Sequence, residues 1–196
     1  MYEPNANRIL GLLSRENLVV DIGGWWRPFN RANYVVDCQP YATRIRSNAQ
    51  GGSEECFSKE TWIQRDICDR TPLPFKDKSV DFVICSHTLE DIRDPLWLCS
   101  EMIRIAKRGY LETPSRLLET CRGVESRRLA GYSHHRWLID IDQNQISFLP
   151  KAHVIHLREC SLPRFFLRRL RIAQHFQWLF WEERVKFREA PPWPMK

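Results

Sequence analysis

Five short apolar runs, each ending in polar or turn-forming residues, constrain this chain more than any other feature. They are Leu18–Ile22, Tyr34–Asp37, Thr61–Arg65, Val80–Ser86 and Tyr110–Thr113. Continuous runs of this length, rich in valine and isoleucine, read as strands buried on both faces. A helix pattern stands between the fourth and fifth. Asp94 suits its cap and Pro95 its first position. Leu96, Cys99, Met102, Ile103 and Ala106 recur at helical spacing, and Lys107, Arg108 and Gly109 supply a stop. Strand, crossover, strand, repeated, predicts an α/β fold: a mostly parallel sheet with helices on both faces.

The flanks add smaller elements. Ile9, Leu10, Leu12 and Leu13 suggest a short helix covering a sheet edge. Residues 40–60 are mixed, with a loop at Gln50–Ser53. Trp137–Asp142 and Ile146–Leu149, joined by Gln143-Asn144-Gln145, read as an added β-hairpin. A basic helix is expected over 163–175, with Phe166, Leu170 and Ala173 on one side. Glu183–Arg188 alternates and predicts an antiparallel C-terminal strand. No domain boundary interrupts residues 1–188, and 189–196 read as a proline-rich tail.

The formal charge of +6 permits an acidic partner. The only local basic excess is Arg164, Arg168, Arg169 and Arg171, and no nucleic-acid signature accompanies it, so nucleic acid is not expected as a partner. Seven cysteines form no CxxC pair, and the polar N-terminal segment does not read as a signal peptide. Reduced thiols and a cytoplasmic location are therefore expected. No apolar run approaches the roughly 20 residues of a membrane span. The eight tryptophans fill core or line a pocket.

In an open parallel sheet, ligands bind beyond the carboxyl ends of the strands. Asp21, Gly23 and Gly24 follow the first strand, Asp37 closes the second, Asp66 follows the third, and Ser86 and His87 end the fourth. Glycine allows close backbone approach to a ligand. An acid after the second strand can accept from two ribose hydroxyls, and an acid after the third can accept from an adenine amine.

With these positions in view, residues 65–115 resemble the class I S-adenosylmethionine-dependent methyltransferases. The run holds Asp66, Leu73-Pro74-Phe75, Ser79-Val80-Asp81-Phe82-Val83, Leu89-Glu90-Asp91 and Glu101 to Arg104 in the family's order. The resemblance covers about residues 17–115. It implies a Rossmann-like sheet of the seven-stranded type and S-adenosylmethionine as cofactor. It places Asp21, Gly23 and Gly24 along the methionine part, Asp37 at the ribose, Asp66 and Ile67 at the adenine, and Ser86 and His87 toward the sulfonium.

One departure is informative. Trp25 stands where the family keeps a third glycine, and only Gly24 to Asn33 separate the turn from the second strand. A parallel crossover with a helix needs a dozen residues or more, so this helix is expected to be very short or missing. Trp25 or Trp26 then offers a cation–π wall to a sulfonium.

The expected activity is in-line methyl transfer, of EC 2.1.1 type, to a small-molecule or glycan-type acceptor. His87 and His134 are the candidate bases, with Glu90, Asp91 and His135 nearby in the chain. The rival is a methyltransferase-fold binding module that has lost activity or uses the cofactor structurally. No metal site is expected: His134 and His135 are adjacent rather than three or four apart, and His153 and His156 lack further ligands. The oligomeric state is left open.

Overall fold

The computed structural model describes residues 1–45 and 50–191. The central sheet has six strands among the described residues, β1 (Val19–Ile22), β2 (Tyr34–Asp37), β3 (Trp62–Gln64), β4 (Phe82–Ser86), β5 (Arg108–Pro114) and β8 (Phe176–Glu182). Their order is β3-β2-β1-β4-β5-β8. The first five are parallel, and β8 runs antiparallel to β5. After β3 the chain crosses back past β1, so the direction of winding reverses between β1 and β4. A crevice opens at such a point because neighbouring connections leave on opposite faces.

Period-two alternation divides the core. Val19, Phe82, Ile84 and Tyr110 face one side and pack with Ala6 and Ile9 of helix α1 (Glu3–Leu12). Val20, Ile22, Val83, Cys85 and Leu111 face the other. They meet Leu98, Cys99, Met102 and Ile105 of helix α2 (Pro95–Ile105). Asp94 caps α2 by accepting from the Trp97 amide at 3.1 Å. Glu101 and Arg104 on this helix form a clamp. Glu101 accepts from the Leu73 amide (2.8 Å) and from Arg104 Nε (2.7 Å), while Arg104 donates to the Phe75 carbonyl (2.9 Å). The Leu73-Pro74-Phe75 turn is thereby held against α2.

The first crossover has no helix, as its length requires. Phe29, 1% exposed, and Ala32 fill the vacant face beside α1. The Phe29 amide donates to Asp21 at 2.8 Å, and Asn33 Oδ1 accepts from the Val19 amide at 2.8 Å. Side chains thus bind the turn that a helix would otherwise brace.

Several expectations are corrected. Gly109 does not stop α2: the chain already leaves the helix at Ala106, and Gly109 lies inside β5. A Cβ there would come within 2.6 Å of the Val83 carbonyl and Cγ1 and 2.8 Å of Trp181. The antiparallel edge strand of the sheet is Phe176–Glu182, not Glu183–Arg188. After a left-handed Glu183 (φ 59°), β9 (Lys186–Glu189) instead runs parallel to β7. The hairpin is β6 (Trp137–Asp142) and β7 (Gln145–Pro150), and with β9 it makes a separate three-stranded sheet. Its Ile139, Ile146 and Phe148 join the α2 side of the core. The free edge of β7 therefore claims the last strand, and the central sheet stops at six rather than seven. Glu189 belongs to β9 and Ala190 still donates to the Phe148 carbonyl, so the expected tail 189–196 starts within the fold; its residues from 192 onward lie outside the described ones. The expected helix over 163–175 is only a single turn at Arg164–Leu167 and a 3-10 turn at Ile172–His175. Phe165, Phe166 and Ile172 are exposed, so no apolar face is buried to hold a longer helix.

Candidate active site

The carboxyl ends of β1, β2 and β4 and the loop after β3 open on a cavity of about 660 Å³. Gly23 turns the chain there with φ 78°, and its amide donates to the Val36 carbonyl at 2.8 Å. A side chain at Gly23 would run into Thr88. Asp37 Oδ2 accepts from the Trp25 amide at 3.0 Å and Oδ1 from Gln39 at 2.8 Å. Burial raises the Asp37 pKa despite these bonds. The Trp25 indole donates to the Thr43 carbonyl at 3.0 Å and meets Trp26 edge-on at 5.7 Å. Asp66 uses one oxygen to accept from the Cys68 amide at 2.8 Å, and Ile67 beside it is buried. Gly23, Trp25, Asp37, Asp66, Ile67, His87 and His134, drawn from dispersed positions in the chain, thus share one cavity.

Asp21, Gly24 and Ser86 do not line it. They border a smaller adjoining cavity of about 340 Å³, which Gly23, Trp26 and His87 also touch. Alternation explains the separation. Asp21 points to the α1 face of β1, where it binds the Phe29 amide, and burial pushes its pKa up to about 7. Ser86 donates to Glu112 at 3.4 Å rather than facing the larger space.

Residues 24–111 match the family model described as a methyltransferase domain. The matched segment, a little under half of the chain, is similar to methyltransferase domains. The likeness read from residues 17–115 of the sequence therefore stands. Similar solved structures include a candidate methyltransferase of Bacillus halodurans C-125, 17% identical over 58% of this chain and 51% of that one, with a TM-score of 0.41. An S-adenosylmethionine-dependent methyltransferase of Mesorhizobium loti is 15% identical over 77% of this chain and 64% of that one, at 0.41. An S-adenosylmethionine-dependent methyltransferase of Aquifex aeolicus is 14% identical over 57% and 65%, at 0.37. The chain thus spans about half the length of the Bacillus protein. No curated protein matches it.

Beyond the β4 end, the chain builds two charged networks. The first centres on Glu112, fully buried in β5. It accepts from His87 Nε2 at 3.0 Å, from the Tyr2 amide at 2.9 Å and from the Tyr110 hydroxyl. Glu90 Oε1 lies 3.4 Å from His87 Nδ1. Burial opposes a charge on His87, but the hydrogen bond to Glu112 and the neighbouring Glu90 carboxylate outweigh it and push its pKa up to about 9. Burial likewise opposes ionisation of Glu112, and His87 and Tyr110 override it, holding that pKa below the usual value. A raised pKa favours the imidazolium, which has no free lone pair to take a proton. This counts against His87 as a general base.

The second network centres on Glu119. His135 Nδ1 pairs with Glu119 Oε1 at 2.9 Å, and Lys151 Nζ with Glu119 Oε2 at 2.5 Å. Burial would raise the Glu119 pKa, but His135 and Lys151 hold it low. His135 Nε2 stands 3.6 Å and His134 Nε2 3.7 Å from Asp91 Oδ1. Burial, reinforced by the Glu90 charge, raises the Asp91 pKa. Sequence reasoning passed over Glu112, Glu119 and Lys151. The available signal for Glu112 was an acid inside an apolar strand. Glu119 and Lys151 carry none, because their partners come from other elements.

Proposed function

We propose that the chain is an S-adenosylmethionine-dependent methyltransferase, holding its cofactor in the 660 Å³ cavity and acting on a small-molecule or glycan-type acceptor. The observation that carries this reading is the convergence of Gly23, Trp25, Asp37, Asp66 and Ile67 on one cavity of a chain with a segment similar to methyltransferase domains. Glycine is required at Gly23, where the left-handed backbone and the Thr88 side chain exclude a Cβ and leave bare backbone at the cavity wall. Asp37 accepts from the ribose hydroxyls, Ile67 packs on the adenine, and Asp66 accepts from its amine. Trp25 supplies an aromatic wall at the cationic end. Asp21, Gly24 and Ser86 border the adjoining cavity and support the methionine end from behind.

When bound, S-adenosylmethionine supplies a methyl group activated by its sulfonium for in-line displacement. The residues then have to orient an acceptor and, where its nucleophile carries a proton, receive that proton. We assign the acceptor to the wall made by Glu90, Asp91, His134 and His135. The base proposed from the sequence, His134, belongs to this wall. His87, held charged, orients Glu90 and Glu112 instead. Seven unpaired cysteines support a reducing, cytoplasmic setting.

A second reading, a binding module that keeps the fold without turnover, is favoured by the replacement of the first helix with Phe29 and by Trp25 at the third glycine position. Calorimetric titration with S-adenosylhomocysteine tests both. Binding that weakens at least tenfold in Asp37→Ala supports the cavity assignment. Absence of binding by the wild type refutes it, and binding without methyl transfer to a panel of hydroxyl, amine and thiol acceptors favours the module.

A further inference from the structure

The acceptor wall contains a set of groups that methyl transfer alone does not require. Asp91, His134 and His135 each present one donor atom, and the three atoms lie within 4.8 Å of one another. The pairs measured at Asp91 Oδ1, 3.6 and 3.7 Å, are close to the ligand–ligand separations around an ion that binds nitrogen and oxygen at about 2.0–2.2 Å. Adjacency of the histidines in the chain, which argued against ligation when a helix was assumed, is no obstacle here. Ser133 and His134 lie in a turn, not a helix, shortly before β6.

Three further observations point the same way. His135 is 9% exposed, and its Nδ1 is taken by Glu119. An imidazole that donates from Nδ1 to a carboxylate keeps its lone pair on Nε2 and fixes the ring, the usual outer partner of a metal-binding histidine. Here Lys151 in turn fixes Glu119, so the orientation of His135 is determined by a buried chain of three side chains. Asp91 Oδ1 is buried without a hydrogen-bond partner among the described residues. Finally, Glu90 is 2% exposed and lines the same cavity, and apart from the 3.4 Å contact of Oε1 with His87 its oxygens lack a hydrogen-bond partner among the described residues. Unpartnered buried carboxylate oxygens are costly unless something not made of protein meets them.

We propose that Asp91, His134 and His135 bind a first-row divalent metal ion at the acceptor end of the cavity, with Glu119 as the positioning residue for His135. Two imidazoles and one carboxylate suit zinc, iron(II), manganese or cobalt rather than calcium or magnesium. Three protein ligands leave coordination positions open toward the cavity, where an oxygen of the acceptor can bind beside Glu90. That last role rests on the methyltransferase reading, whereas the metal site does not.

The test uses the full chain, stripped with chelator and titrated with Co²⁺ under optical absorption and with Zn²⁺ under calorimetry. S-adenosylhomocysteine binding is measured separately on the same samples. The expected result is saturable binding of one equivalent, with visible ligand-field bands of a nitrogen- and oxygen-bound cobalt centre. His135→Gln and Asp91→Asn should each abolish those bands, and Glu119→Gln should weaken Zn²⁺ binding about 10–100-fold. His134→Ala alters a side chain that is 59% exposed, so it tests the site without threatening the fold. No saturable binding by the wild type, or bands that persist unchanged in His134→Ala and Asp91→Asn, would overturn the proposal. Metal binding without S-adenosylhomocysteine binding would sink the methyltransferase reading and leave the metal site standing.

Discussion

Replacing His87 with asparagine separates a charged, structural histidine from a neutral base. Asparagine tolerates the left-handed backbone at this position, where φ is 56°, so the change removes the ring without straining the turn. The rise in pKa from 6.5 to about 9 expresses the preference of the fold for the imidazolium. At 1.36 kcal/mol per pH unit this is about 3 kcal/mol. The side chain is 34% exposed, and solvent screening reduces the figure to about 1–2 kcal/mol. Because the folded pKa lies above the unfolded one, this stabilisation is complete below pH 6.5 and is lost as the pH rises through about 9. Denaturant unfolding of wild type and His87→Asn across that range should therefore show a gap that shrinks toward alkaline pH. Long-range nitrogen–proton NMR should place the His87 titration near 9, and Glu112→Gln should bring it down. A His87 midpoint close to 6.5, or a stability gap that does not change with pH, refutes the reasoning and returns His87 to the list of bases.

Two further outcomes follow from buried positions. Gly109→Ala inserts a methyl group 2.6 Å from the Val83 carbonyl, a backbone atom that cannot turn aside. It should destabilise by about 1–3 kcal/mol or more, and a melting temperature equal to wild type would contradict that packing. Asp21→Asn keeps an acceptor for the Phe29 amide but removes a buried charge whose pKa is pushed up to about 7. The wild-type carboxyl favours the fold below pH 3.8 and progressively less as the pH rises to about 7. The variant should accordingly gain on the wild type over that interval, by up to about 4 kcal/mol above it. Unfolding at pH 5 and pH 8 measures the change, and equal differences at both would exclude it.

Much of the cavity was legible from strand ends because the physics there is local. Asp37 ends a strand, and Gly23 and Asp66 sit one and two positions past strands, whose apolar runs are visible in the chain, and a parallel sheet brings such ends together. The missing first helix was legible from length alone. Asp21 and Ser86 were placed one cavity away because side chains alternate along a strand, and the sequence does not say which face looks onto which space. The charge on His87 was hidden from the sequence for a different reason. Its proton affinity is determined by Glu112, 25 positions away and invisible until β4 and β5 pair.

The succession of apolar runs by itself determined a parallel α/β sheet, the cap of α2 and a shortened first connection, since these depend on periodicity, turn chemistry and chain reach. Only the tertiary structure decided that Lys186–Glu189 would pair with the hairpin rather than the central sheet, that Glu112 would charge His87, and that Asp91, His134 and His135 would meet over Glu90. Those outcomes depend on which distant groups share a low-dielectric space, and distance along the chain carries no record of that.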